Sequence, residues 1–399
     1  MTLKGSASTA PPCPVCQSAA TKGFFQLRNV PLHCNLLWES RERAMQAPRG
    51  NMELVFCRDC GHVYNGAFQP ELMEYTEQYE NSLHFSPCFQ GYATELARRL
   101  VDRYQLHDKH VVEIGCGKGE FLLLLSRLGN NRATGFDPSY RHGRTPEAAG
   151  DRVRFVQDFY GRRYADQAAD LVVCRHVLEH IRDPRGFLAE IRQTLNGQSE
   201  TAVFFEVPDT LFILRDLSIW DLLYEHCSYY TMESLTALFE LSGFRVTAVE
   251  SAFSGQFLTV EARPWATTRD SVTGPRGISE EVEDSVEHFA GRFHDKVEAW
   301  SGMLGEFHRS GRRVVVWGAG SKGAGFLNMV PGAHRVECVV DINPHKQGRF
   351  VAGAGQPIVS PDALREYEPQ AVLVMNAAYL EEIRRMLSDM GLAVELLTV

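Results

Sequence analysis

The sequence predicts an α/β protein in which a Rossmann-like domain lies between a small cysteine-bearing domain and a second Rossmann-like lobe. Short β-branched runs at 111–114 and 314–317 are each followed at once by a glycine-rich turn and an apolar helix, which predicts the two Rossmann-like units. Two C-x-x-C pairs before residue 61 predict the separate N-terminal domain. The 399 residues exceed one ordinary core, so several domains are expected.

Composition narrows the classes of function. The chain is 44% hydrophobic and 23% charged, as in globular proteins, and it has no apolar run of the ~18 residues that span a membrane. Its formal net charge of −9 argues against a nucleic-acid partner. The first residues lack the apolar core of a signal peptide. We therefore expect a cytoplasmic protein with neither a membrane nor a nucleic-acid partner.

The two C-x-x-C pairs are Cys13 with Cys16 and Cys57 with Cys60. This spacing lets both sulfurs of a pair face one ion, and four thiolates close a tetrahedral Zn²⁺ site that is structural because no position stays open. The long interval between the pairs predicts an inserted hairpin or loop. The alternatives are a redox pair or four unconnected cysteines.

The first glycine turn, 115–119, has the spacing G-x-G-x-G, which is typical of S-adenosylmethionine (SAM) sites, whereas dinucleotide folds use G-x-G-x-x-G. An acid at the end of the next strand would bind both ribose hydroxyls, and an acid at the third strand end would bind adenine. The predicted SAM-site residues are Glu113, Gly115, Gly117, Gly119, Asp137, Pro138, Asp158, Phe159, Arg175 and His176. The alternative is an ordinary strand–helix turn.

Candidate catalytic residues lie in three segments. Glu225 and His226 follow the fifth strand, where a carboxylate beside an imidazole suits a general base; the alternative is that they anchor a lid. His180 follows the fourth strand and is expected near the pocket, with a packing role as the alternative. The polar and aromatic segment from Tyr79 is interpreted either as a cover over SAM or as a connecting loop.

The second glycine turn, 318–323, carries the full G-x-G-x-x-G spacing, and an acid ends the next strand about 20 residues later. It is interpreted either as a pyrophosphate site at a helix N-terminus or as a structural turn. Its candidate binding residues are Gly318, Gly320, Lys322, Gly323, Asp341, Lys346 and Arg349. The predicted domains are 1–75 (zinc-binding), 76–265 (SAM-binding), 266–310 (a linker and a long amphipathic helix) and 311–399 (the C-terminal lobe).

The order of these parts resembles the deoxysugar C-methyltransferases, which methylate a nucleotide-linked ketosugar. The four thiols, the EIGCGKG turn with Asp137, the Glu-His pair and the GAGSKG lobe that ends in DINPHKQGR occur in that family's order over nearly the whole chain. The resemblance implies a class I methyltransferase domain, SAM, and a thymidine-diphosphate sugar held between two domains. It also implies that His180, His226, Tyr79 and Glu225 line the reacting carbon. The segment 81–87, Leu223 and Tyr224 depart from the family pattern on the substrate side.

The chemistry needs placement and one proton transfer, because the sulfonium of SAM activates its methyl group without a metal. We predict His226 as the base, since the imidazole pKa of about 6.5 lies near working pH, and His180 or Tyr224 as the group that stabilises the enolate oxygen.

Three competing interpretations are an NAD-dependent oxidoreductase, a zinc-ribbon RNA-binding module, and a methyltransferase of a non-sugar metabolite at nitrogen, oxygen or carbon with the C-terminal lobe as scaffold.

Overall fold

The computed structural model describes residues 11–73, 79–140, 150–265 and 277–399. The start of the chain (1–10) and most of the predicted linker (266–276) lie outside the described residues. Within them the chain forms three β-sheets surrounded by helices, which confirms the predicted α/β class.

The strands and helices alternate along most of the chain. In chain order the strands are β1 (Thr21–Pro31), β2 (Arg49–Cys57), β3 (Val63–Asn65), β4 (His110–Ile114), β5 (Arg132–Phe136), β6 (Val153–Val156), β7 (Leu171–Arg175), β8 (Ala202–Pro208), β9 (Ser228–Tyr229), β10 (Phe244–Ala252), β11 (Phe257–Pro264), β12 (Val314–Trp317), β13 (Val339–Val340), β14 (Ile358–Val359), β15 (Ala371–Val374) and β16 (Glu395–Thr398). The helices are α1 (Arg41–Met45), α2 (Pro87–Tyr104), α3 (Glu120–Gly129), α4 (Pro184–Thr194), α5 (Thr210–Leu214), α6 (Met232–Leu241), α7 (Glu280–Arg309), α8 (Ser321–Met329), α9 (Leu364–Tyr367) and α10 (Leu380–Asp389).

The N-terminal sheet has the strand order β1-β2-β3-β9. β1 and β2 form an antiparallel hairpin between the two cysteine pairs, as the long interval between the pairs predicts. β9 comes from the segment after β8 and pairs with β3 through Tyr64 and Ser228. The segment that carries Glu225 and His226 is therefore anchored to the N-terminal sheet, a long-range pairing that the sequence pattern does not indicate.

The central sheet has the order β10-β11-β8-β7-β4-β5-β6, in which the five strands from β8 to β6 are parallel. β11 pairs antiparallel with β8 on one side and with β10 on the other. The β-branched run of β4 is buried, as expected for a strand covered on both faces. Ser86 caps α2, and α3 follows the first glycine turn directly. The carboxyl ends of the parallel strands meet at one edge, where ligands of such sheets bind.

The C-terminal sheet is parallel throughout, with the order β14-β13-β12-β15-β16. β12 leads through the second glycine turn into α8, as predicted. The sequence pattern does not predict β14 or β16, because β14 has only two residues and β16 is only partly buried at the end of the chain.

Helix α7 packs against strand β1 of the N-terminal sheet and against helix α8. Its apolar stripe includes Phe289, which packs against Phe25 of β1 with ring centroids 5.0 Å apart, and Trp300, which packs against Phe326 of α8 at 5.7 Å. The predicted long amphipathic helix is therefore present, and most of its apolar residues are buried. In the described part of the chain, no helix combines the length and apolar character needed to cross a bilayer.

Candidate active site

The four predicted metal ligands converge in the N-terminal domain. The Sγ atoms of Cys13 and Cys60 are 3.6 Å apart, those of Cys16 and Cys57 are 3.5 Å apart, and all four lie within 4.8 Å of one another. Zinc–sulfur bonds of about 2.3 Å in a tetrahedron require sulfurs about 3.8 Å apart, so the cluster fits Zn²⁺. Three of the four residues are buried, as in a structural metal site.

The first glycine turn needs glycine for two different reasons. Gly115, Gly117 and Gly119 have φ angles of +69°, +54° and +83°, in the left-handed region that favours glycine. A Cβ at Gly115 would lie 2.2 Å from Val177, and one at Gly119 would lie 2.4 Å from the ring of Phe155. A Cβ at Gly117 would meet no atom within 4 Å. Space for a ligand therefore lies at Gly117, whereas the other two glycines allow close packing.

Two acids flank this turn. The amide of Gly117 donates to Asp137 Oδ2 at 2.9 Å, which fixes the carboxylate at the turn. Glu113 is 4% exposed, its Oε2 has no hydrogen-bond partner, and burial raises its pKa to about 8. A buried carboxyl oxygen without a partner fits a ligand that carries an ammonium group, such as the methionine end of SAM. The residues at this turn therefore fit the predicted cofactor.

The predicted adenine-binding residues lie near the surface. Asp158 accepts a hydrogen bond from the Tyr164 hydroxyl at 2.6 Å, which lowers the pKa of Asp158, and Arg163 lies 2.8 Å from the same carboxylate. Phe159 is 70% exposed, so its ring is open to a planar ligand. Pro138 accepts a hydrogen bond from Gln157 through its carbonyl.

Arg175 and His176 share the buried carboxylate of Glu206. Arg175 donates to Glu206 Oε1 from Nε (3.0 Å) and Nη2 (2.7 Å), and His176 Nε2 lies 2.9 Å from the same oxygen. Burial lowers the pKa of His176, but hydrogen bonds to Glu179 and Glu206 outweigh it and raise this pKa to about 9. Burial raises the pKa of Glu206, but Arg175 and His176 outweigh it and lower this pKa to about 2. His176 is therefore protonated near neutral pH and does not suit a base.

The two predicted catalytic histidines are in ring contact. The rings of His180 and His226 are perpendicular, with centroids 4.8 Å apart. His226 Nδ1 is buried without a hydrogen-bond partner. Burial, followed by the neighbouring His180, lowers the pKa of His226 to about 4, so its imidazole is neutral at pH 7. The unengaged nitrogen of the neutral ring can accept a proton, but a pKa of about 4 lies below the 6.5 assumed from the sequence, so the ring is a weaker base than predicted.

Glu225 does not pair with His226, although the two are neighbours in sequence. Its carboxylate accepts from the Tyr79 hydroxyl at 2.6 Å and from the Cys34 amide at 3.1 Å. A carboxylate oxygen of Glu179 lies within 4.8 Å of a nitrogen of each histidine. The expectation of a Glu-His pair thus needs correction, because adjacent side chains outside a helix point in different directions and find different partners.

Tyr224 lies away from the two histidines. It is 1% exposed, its hydroxyl accepts from the Gln69 amide at 3.0 Å, and its ring contacts Phe68 at 5.6 Å. These contacts direct the hydroxyl towards the N-terminal domain. The placement favours His180 over Tyr224 as the group next to an enolate oxygen.

The second glycine turn also holds an acid. The Ala319 amide donates to Asp341 Oδ2 at 2.9 Å, and Lys346 Nζ lies 3.8 Å from the same oxygen. Gly318 has a φ of +115°, and a Cβ at Gly323 would lie 2.0 Å from the Gly318 carbonyl oxygen. Lys322, in the first turn of α8, forms an ion pair with Asp221 and donates to Ser218. A Cβ at Gly320 would come no closer than 4.0 Å to Lys346 Nζ, so the backbone is open to a ligand there.

One cavity of about 300 Å³ joins the two groups of predicted residues. Its lining includes Tyr79, His176, His180 and His226 from the N-terminal and central parts of the chain. From the C-terminal lobe it includes Gly318, Gly320, Lys322, Gly323, Asp341 and Lys346. Arg349 does not line it and forms an exposed ion pair with Glu39 at 3.1 Å, so the structure does not support a phosphate contact by Arg349. We call this space the interlobe cavity.

Some residues at the cavity escaped the sequence interpretation. Gln256 and Asn376 exchange two amide hydrogen bonds of 3.1 and 2.8 Å across the cavity wall. They are 120 residues apart, so no local pattern joins them. Glu206 could have been found from the sequence, because it is the only acid within the apolar strand β8, and a buried acid needs a charged or hydrogen-bonding partner.

Comparisons with known families identify two regions of the chain. A family model described as a methyltransferase domain matches residues 89–249, and one described as a C-methyltransferase C-terminal domain matches 279–393. These matches confirm the predicted class I methyltransferase fold and coincide with the two lobes that form the cavity.

Individual proteins are also similar to this chain. The chain is 26% identical to the C-methyltransferase NovU of Streptomyces niveus, over 93% of this chain and 90% of that protein. It is 31% identical to a tRNA U34 carboxymethyltransferase of Campylobacter hominis, over 28% of this chain and 39% of that protein. Among solved structures, a 1,6-didemethyltoxoflavin-N1-methyltransferase of Burkholderia thailandensis matches 45% of this chain and 81% of its own, with 19% identity and a TM-score of 0.34.

Proposed function

From the premise that this chain is a SAM-dependent methyltransferase, we propose that it methylates a carbon of a ketosugar carried on a nucleoside diphosphate. One observation carries the proposal: His226 and the second glycine turn line the same cavity. A base is then available at one end of the bound acceptor, and backbone amides at a helix N-terminus are available for phosphate at the other.

The second glycine turn suits a diphosphate better than a free sugar. The first turn of α8 contains no acid and contains Lys322, and Lys346 lies buried beside it. The helix dipole and these ammonium groups favour an anion. Asp341 and Asp221 hold the two lysines in place, and a phosphate would share the lysines with them.

His226 is proposed to remove the proton next to the ketone, because its imidazole is neutral and one ring nitrogen is unengaged. His180, in contact with it, donates Nδ1–H to the Glu225 carbonyl at 3.0 Å, so it is proposed to stabilise the negative charge on the ketone oxygen through Nε2–H in the form of the ring that carries a second proton. SAM would supply an electrophilic methyl group. The new carbon–carbon bond forms as the carbon–sulfur bond breaks, S-adenosylhomocysteine leaves, and the proton on His226 passes to solvent.

Glu113, Gly117, Asp137 and the surface pair Asp158 and Phe159 are proposed to hold SAM. The buried oxygen of Glu113 suits the ammonium group, and Gly117 leaves room beside Asp137 for the ribose.

The four cysteines are proposed to bind structural Zn²⁺, which would hold together the N-terminal sheet that anchors β9. Native mass spectrometry of the purified protein should show one zinc per chain, and Cys57→Ser should lose it and lower the melting temperature; a metal-free, fully folded wild type contradicts the metal assignment.

A binding and turnover screen tests the acceptor class. Thymidine and uridine diphosphate, their 4-ketosugar conjugates and the matching free ketosugars are compared by thermal shift with S-adenosylhomocysteine present, then by methyl transfer from labelled SAM. We expect stabilisation and turnover only with diphosphate-linked compounds, and a new C-methyl signal by NMR. Turnover of a non-sugar metabolite without any nucleotide response would instead favour the C-terminal lobe as a scaffold.

A further inference from the structure

A continuous chain of hydrogen bonds joins the two glycine turns. Its centre is Glu80, which is 2% exposed and follows Tyr79 in the segment that borders the interlobe cavity. Glu80 Oε1 accepts from the ammonium of Lys118, which lies between two glycines of the first glycine turn, and from the side-chain amide of Asn343 at 3.0 Å. A single carboxylate oxygen therefore contacts both lobes.

The chain of contacts continues from Asn343 to the second glycine turn. The backbone amide of Asn343 donates to Asp341 Oδ1 at 2.8 Å, and the backbone amide of Ala319 donates to Asp341 Oδ2 at 2.9 Å. Both Asn343 and Glu80 are buried, so water competes little for these bonds. A displacement of the first turn that removes Lys118 breaks a buried ion pair of Glu80, which is unfavourable.

We propose that Glu80 is a positioning residue that couples the two sites, so that a ligand at the first glycine turn strengthens binding at the second. The identity of the two ligands rests on the proposed function: SAM or its product at the first turn and a nucleoside diphosphate at the second. Thermodynamic linkage makes the effect reciprocal, so the acceptor strengthens cofactor binding by the same factor.

Hydrogen exchange tests the coupling with S-adenosylhomocysteine alone. In the wild type, a saturating concentration should slow exchange at the amides of Ala319 and Asn343 by about tenfold. In Glu80→Gln, which keeps the size but removes the charge, the slowing should be lost. Lys118→Met removes the other member of the ion pair and should give the same result, so the test survives if one variant folds poorly.

The matched control is Glu382→Gln. Glu382 accepts from Ser86 Oγ at 2.7 Å and from the Cys88 amide at 2.9 Å, so it also joins α2 to the C-terminal lobe but does not touch the first glycine turn. This variant should keep the slowing. Wild-type exchange unaffected by S-adenosylhomocysteine, slowing that persists in both Glu80→Gln and Lys118→Met, or equal loss in Glu382→Gln would each overturn the coupling role.

Calorimetry then measures the reciprocal effect. Thymidine diphosphate should tighten S-adenosylhomocysteine binding at least fivefold in the wild type and less than twofold in Glu80→Gln. If no nucleoside diphosphate binds, the acceptor class in the proposed function fails, while the exchange experiment still decides the role of Glu80 because it uses only the cofactor product.

Discussion

The two glycine turns have the same internal construction and opposite surroundings. In each, a buried strand leads into the turn, a helix follows, and the acid that ends the next strand accepts a turn amide: Gly117 to Asp137 and Ala319 to Asp341, both at 2.9 Å. The helix after the first turn begins with Glu120, whereas the first turn of α8 contains Lys322 and no acid. In both turns the acid could accept a ligand hydroxyl, and the glycines let a ligand approach the backbone. The charged residue in the first turn of the following helix differs, and we expect it to select the ligand.

This difference explains which ligand each turn suits. The Glu120 carboxylate at the start of α3 already offsets the positive end of the helix dipole, so the first turn favours SAM, which has no phosphate. At α8 the positive end is reinforced by lysines, which favours an anion. Under the proposed function, one supersecondary unit would bind two different ligands in one chain, and a few charged side chains would select between them.

The largest expected effect is on turnover and comes from His226, which lines the interlobe cavity. His226→Ala should lower turnover by about 10²–10⁴, the usual contribution of a positioned base, while both turns keep their ligands. Steady-state kinetics together with calorimetry of S-adenosylhomocysteine and thymidine diphosphate checks this. His334→Ala, an exposed histidine in the C-terminal lobe, is the control and should be unchanged. Near-normal turnover in His226→Ala would give His226 a structural role only.

Gly320→Val should weaken the binding of thymidine diphosphate roughly a hundredfold, because the side chain would cover two or more phosphate-binding amides. Binding at the first glycine turn should not change. The variant should fold, since Gly320 has an ordinary φ of −88° and its Cβ would come no closer than 4.0 Å to Lys346 Nζ. Calorimetry with each ligand alone is the measurement, and S-adenosylhomocysteine binding is the internal control. Normal methylation of the acceptor by this variant would reduce the lobe to a scaffold.

A crossed pair of substitutions compares the two acids directly. Asp137→Ala should weaken S-adenosylhomocysteine at least tenfold, because hydrogen bonds to a charged group contribute about 1.5–3 kcal/mol each, and should leave thymidine diphosphate within twofold. Asp341→Ala should show the reverse. Each ligand is titrated in the absence of the other so that coupling does not enter. Equal weakening of both ligands in either variant would mean that the turns are not independent sites.

The smallest expected effect is on the pH profile. Burial and His180 lower the pKa of His226, and Glu179, Glu225 and Asp221 oppose this shift without cancelling it, which leaves the pKa at about 4. Protonation removes the lone pair that a base needs, so kcat/KM should fall only as pH drops towards 4. An ordinary histidine with a pKa of about 6.5 would already lose roughly fourfold at pH 6. A kcat/KM profile with its acid limb near 6.5 would contradict the assignment of His226.

Local pattern was sufficient to predict the elements and many of the candidate residues. The long amphipathic helix α7 and the hairpin between the cysteine pairs were both predicted and are present in the structure. Each depends on residues near one another in the chain, where spacing alone fixes which side chains share a face.

The pairings of individual side chains were not predictable in the same way. Adjacency in sequence suggested that Glu225 pairs with His226, but Glu225 binds Tyr79 and Cys34 instead. Tyr224 and Arg349 were assigned to the substrate side, and the fold directs one to Gln69 and the other to Glu39. Neighbouring side chains outside a helix point in different directions, so tertiary contacts choose their partners.

The sequence by itself determined the α/β units, the convergent cysteines and the two turns with their acids, because glycine spacing and apolar periodicity are local constraints on the backbone. Only the tertiary structure decided that β9 joins the N-terminal sheet, that the second glycine turn lines one cavity with His180 and His226, and that Glu80 lies between Lys118 and Asn343. Those contacts join residues far apart in the chain. Their geometry depends on how sheets and helices pack, which no short stretch of sequence encodes.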